Sequence, residues 1–142
     1  DELSKQLGEL GYYIVSFEKK SLFKQEDYDY LLRKYLLMEI KTYIQFSRLN
    51  KECNLNKTIV LYFFNPEDSI SDRQGKVLDV LVKKDIGVAV FSINNNYKDD
   101  ALIDAVKVYY NITTTPTIVV NGEKIEGFIG IDELLEIAQR GE

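Results

Sequence analysis

Few residues in this chain are of a type that could do chemistry: one cysteine, Cys53, no histidine, and three acids, Glu67, Asp68 and Asp72, in FFNPEDSISDRQ. A zinc set, a Cys-His pair and a Ser-His-Asp triad all require residues that are missing, so no metal site and no catalytic residue is expected. Neighbouring carboxylates can split their pKa values and share acid and base roles. Glycoside hydrolysis, however, needs two of them across a cleft of set width, and three acids at one helix start point to capping and solvation. Cys53 has two readings: a small apolar residue near a helix end, or half of a disulfide whose partner lies outside these residues. Pro116, in TTTPTIVVNG, is the remaining special residue. Proline removes a ladder donor and so belongs at a strand's first residue or edge, and an X-Pro bond is where a cis peptide costs least.

The elements that must position these residues follow from periodicity. Leu3, Leu7, Leu10, Ile14 and Phe17 step by three and four, which predicts a helix over about 2–18. From 25 to 53 a longer pattern, unbroken by Gly or Pro, loads more than one face and predicts one long helix. Packed antiparallel, the two would form a hairpin turning near KKSLFKQ. The tyrosines of the long helix (Tyr28, Tyr30, Tyr35, Tyr43) are expected in packing, with a partner-binding stripe as the alternative.

After NLNK the texture changes. TIVLYFF (58–64) and GVAVFSI (87–93) are short apolar runs, expected as strands buried on both faces. NPEDSIS opens a helix to about Lys84, with Asp68 and Ser69 as N-cap candidates. Another helix spans Ala101 to Tyr109, the Pro116 strand turns at Asn121-Gly122 into EKIEGF, and a last helix carries Leu134, Leu135 and Ile137. The order is β-α-β-α-β-β-α, with the first two strands parallel and the last two a hairpin.

Bulk properties limit the partners. With 142 residues there is room for one domain and an extension. A net charge of -5 with scattered basic residues argues against nucleic acid. No apolar run approaches the roughly 20 residues of a membrane helix, so no direct membrane insertion by this fragment is expected. No cofactor is expected either.

The strand order, Thr-Pro opening the third strand, the NG turn and VYYNITTTPTIVVNGEKIEGFIG together resemble the thioredoxin fold over about residues 57–140. The resemblance implies an α/β fold with a mixed four-stranded sheet over 57–142, preceded by an N-terminal helical extension over 1–54. It makes Pro116 the family's cis-proline and gives Thr115 a backbone able to pair with an extended chain. It also exposes departures. With Phe63 and Phe64 on the family's Phe-Trp positions, Asp68 and Ser71 stand where the two redox cysteines belong. Tyr62 replaces the buried strand carboxylate, and Val90 replaces the lysine near it.

A redox-inactive module that binds or scaffolds an unknown protein or peptide is therefore expected, with a rim of Phe64, Pro66, Thr115 and Pro116. Two alternatives remain. One is a thiol-disulfide oxidoreductase using Cys53 or cysteines outside this fragment; the other is a structural domain of a membrane-anchored protein. The chain is also similar to uncharacterised archaeal proteins with an N-terminal helical region. That similarity implies an extracytoplasmic fragment and a Cys53 bonded to an upstream cysteine.

Overall fold

The computed structural model describes residues 25–98 and 100–140. The helix expected over 2–18, and with it the helical hairpin, lies outside the described residues. The elements in order are α1 (Gln25–Cys53), β1 (Thr58–Phe64), α2 (Ser69–Lys84), β2 (Val88–Asn94), α3 (Ala101–Tyr109), β3 (Thr117–Val120), β4 (Glu123–Glu126) and α4 (Ile131–Arg140). The strands form one mixed sheet in the order β2-β1-β3-β4. β1 pairs parallel with β2, Val60 opposite Val90, and antiparallel with β3, Val60 opposite Val120. β3 and β4 form the expected hairpin.

Alternation along β1 divides the core between two helical layers. Ile59, Leu61 and Phe63 pack with Leu36, Ile40 and Tyr43 of α1 and Ile103 of α3. Val60 and Tyr62 pack with Leu78 and Leu81 of α2 and Leu134 and Ala138 of α4. A strand covered on both faces has no reason to alternate polar and apolar residues, which explains the unbroken TIVLYFF. Each of the buried Val, Leu, Ile and Phe side chains among these contributes about 1.5–3 kcal/mol by leaving water. The tyrosines of α1 divide: Tyr43 is in the core, Tyr28 and Tyr35 are half-buried, and Tyr30 is exposed. α1 is also held by an ion pair between Arg33 and the buried Asp100, 3.0 Å apart, and Asp100 in turn caps α3 through the Leu102 and Ile103 amides.

The hairpin turn places Asn121 at φ 48° and Gly122 at φ 88°. Two successive left-handed residues give the twist that suits a two-residue hairpin, and Asn-Gly tolerates it best. Asn121 does more than turn. Its amide donates to the Ile59 carbonyl (2.9 Å), and its side-chain Oδ1 accepts the Ile59 amide (2.8 Å). No described helix is long and apolar enough to cross a membrane.

Candidate functional site

The segment joining β1 to α2 is built almost entirely from its own hydrogen bonds. Asp68, in extended conformation, is the N-cap of α2, and its Oδ1 accepts the Ile70 amide at 3.1 Å. Its Oδ2 lies 3.5 Å from the Ser71 hydroxyl, and that hydroxyl accepts the Asn65 amide at 3.1 Å. Asn65 anchors the rest of the turn: its carbonyl takes the Asp68 amide, and its Oδ1 takes the Glu67 amide and the Asn96 side-chain amide. The cap satisfies a helix-end donor and puts negative charge at the positive end of the helix dipole. Asp72 is exposed and pairs with Lys76 one turn on, at 3.2 Å.

Beneath this helix start sits Tyr62. Its ring is buried and stacks on Phe64 at 5.5 Å, and its phenol donates to the backbone carbonyl of Ser71. Burial pushes the phenol up to about 12, with Asp72 and Asp68 adding to the rise, so it stays a donor at neutral pH. Gly75 lies over the ring, and a Cβ there would come within 3.7 Å of the Tyr62 oxygen. Val90 is half-buried on the same side.

Of the expected site residues, Phe64, Pro66 and Ser71 line one groove of about 450 Å³ with Tyr62, Val90 and Ser92. This groove opens on the α2 and β2 side of β1. Thr115 and Pro116 lie on the β3 side: Phe63 pairs with Thr117, so Pro116 stands next to Phe64 at the ends of the two strands. The Thr115-Pro116 bond is cis, Pro116 is buried, and its carbonyl accepts the Gly127 amide at 2.9 Å. The expected rim is thus two adjoining surfaces around the end of β1. Asp68, half-buried, crowns α2 above the groove without lining it.

Cys53 is an exposed thiol on the last residue of α1. That places it before β1, whereas α2 begins after it. A seven-residue strand spans roughly 20 Å, so thiol and helix start are at opposite poles of the sheet. Among the described residues no group of three or more Cys, His, Asp or Glu could hold a metal.

Two residues that support the site escaped sequence reasoning. Gln74 is fully buried, and its side-chain amide bonds both backbone groups of Ile129: it accepts the amide at 2.8 Å and donates to the carbonyl at 3.2 Å. It ties α2 to the loop after β4. In the same loop Phe128 lies under the Arg73 guanidinium, 4.9 Å from the ring centroid. The signal for Gln74 was available. Ser71, Gln74, Leu78 and Leu81 recur at helical spacing, which puts an amide in the core stripe, where it needs a partner.

No protein-family model matches the chain, and no curated protein does. Solved structures do. Chloroplastic thioredoxin z is 18% identical with a TM-score of 0.52, the match covering 65% of this chain and 84% of that one. Thioredoxin-2, a component of malaria parasite protein secretion machinery, is 18% identical with a TM-score of 0.50, covering 59% of this chain and 82% of that one. The chain has a thioredoxin-like fold. At this identity the likeness concerns the fold alone. The thioredoxin-like chain carries a single cysteine and hence no Cys-x-x-Cys motif.

Proposed function

We propose that this thioredoxin-like chain is a redox-inactive module that binds or scaffolds another protein through the surface around the end of β1. One observation carries the reading. Asp68 and Ser71, which the thioredoxin resemblance puts at the redox-cysteine positions, have side chains spent on capping α2 and closing its loop, while the one thiol sits at the opposite pole. A dithiol exchange centre needs a thiolate stabilised at the helix start; here an acid occupies that position. The Thr115 backbone is the place for an extended peptide to pair, with main-chain hydrogen bonds supplying affinity.

Two measurements test this. In an insulin-reduction assay the chain and its Cys53→Ser variant are both expected to stay at the blank rate. Turnover that Cys53→Ser abolishes would overturn the redox-inactive reading. For binding, a photo-crosslinking residue at Glu67 is expected to capture a discrete adduct in the source cell that the same residue at Arg140 does not; equal capture at both positions would defeat it.

A second reading rests on the exposure of Cys53. The thiolate of an accessible cysteine can attack a disulfide of another segment or chain, forming a mixed disulfide and releasing the other sulfur as a thiolate. A shift in non-reducing electrophoresis, lost in Cys53→Ser, would support it.

A further inference from the structure

At the pole opposite the β1 end, two tight polar turns each carry one large apolar residue at the centre. Leu55 stands between Asn54 and Asn56, both left-handed at φ 51° and 55°. Ile86 stands between Asp85 and Gly87. Neither turn is loose. The Asn50 side chain bonds both the carbonyl and the amide of Lys57, at 2.8 and 2.9 Å, and its own carbonyl takes the Leu55 amide at 3.3 Å. Asp85 takes the Gly87 amide on its carboxylate at 2.9 Å, and the Gly87 carbonyl takes the Thr58 amide at 2.8 Å. A turn needs none of this apolar bulk, yet Leu55 is 48% exposed and Ile86 93%.

Both side chains line one cavity of about 300 Å³. Leu49 of α1 joins them at its mouth, and Phe46, Ile59 and Val88 form its apolar walls. That volume is at the lower end of the roughly 300–1,000 Å³ of small-molecule sites. Among the described residues its only charged lining residue is Lys57, which is exposed and has no ion-pair partner there. An apolar surface lined by one exposed lysine without an ion-pair partner among the described residues matches an apolar tail ending in one negative charge, because the tail gains by leaving water and the charge gains a partner.

We propose that this cavity binds a small amphipathic anion, a medium-chain monocarboxylate, with its chain against Leu55 and Ile86 and its carboxylate on Lys57. The test is amide chemical-shift titration of the 142-residue chain with three probes: octanoate, 1-octanol and acetate. Octanoate is expected to move amides of residues 55–59 and 86–89. Octanol should do so a few-fold more weakly, for want of one exposed ion pair, and acetate should not. Lys57→Ala should bring octanoate down to the octanol level and leave octanol unchanged. Ile86→Asp should weaken both. The proposal fails if octanoate leaves these amides unmoved at millimolar concentration, or binds no better than octanol. It also fails if the same amides move on raising protein concentration alone, since a second copy would then be the occupant.

Discussion

Gln74 and Glu39 are both buried polar residues on helices packed against opposite faces of one sheet, and both reach across to the backbone of another element. Gln74, on α2, matches both backbone groups of Ile129 with a neutral amide. Glu39, on α1, accepts the Ser92 amide of β2 at 3.1 Å with a carboxylate that is only 7% exposed. Burial pushes Glu39 up to about 7, although its bonds to Tyr35 and Ser92 act the other way. A satisfied neutral tie is indifferent to pH. A buried acid makes its face of the sheet depend on it.

The largest effect should come from breaking the neutral tie. Gln74→Ala removes both partners of the buried Ile129 groups and leaves a void, at a cost of about 2–4 kcal/mol in denaturant unfolding. A loss below about 1 kcal/mol would mean that the α2 face does not depend on this residue. Glu39 sharpens the contrast through pH. Its folded pKa, about 7, exceeds the ordinary glutamate value of 4.5, so the folded state holds the proton more tightly than the unfolded state. The stability that Glu39 contributes is therefore fully present below about pH 4.5 and is lost as pH rises towards 7, by at most roughly 3 kcal/mol, whereas Asp100, held below its ordinary value, acts in the opposite sense. Glu39→Gln should remove that slope, which paired unfolding curves of parent and variant at pH 4.5 and pH 7.5 measure directly; equal slopes would show that Glu39 titrates normally. The smallest effect belongs to the exposed end of α2. Asp68→Ala should cost about 1 kcal/mol, the worth of an N-cap, and thermal unfolding that leaves the midpoint in place would show that the cap is idle.

What the sequence made legible is uneven for physical reasons. TIVLYFF, the 25–53 helix and the Asn121-Gly122 turn announce themselves because local pattern and final environment agree. Asp68 was legible as a cap for the same reason, since its role is settled within three residues. Gln74 and Glu39 were not singled out, because each fills a core position with a polar side chain whose partner is far along the chain, 55 and 53 residues away. The groove was harder still. Which side of β1 holds β2 and which holds β3 depends on strand order, and that order puts Phe64 and Pro66 on a groove of the β2 side while Thr115 and Pro116 adjoin it on the β3 side.

Asn121 shows how a loop residue can extend a sheet. β3 ends at Val120, one position short of Ile59, and the Asn121 side chain takes over as acceptor for the next amide of the central strand. Glycine would fit the same backbone bend yet leave that amide unclaimed. Transplanting this hairpin into another protein would therefore require a long neighbouring strand ending opposite the bend; beside a shorter neighbour, the asparagine's second role would vanish and only its conformational preference would remain.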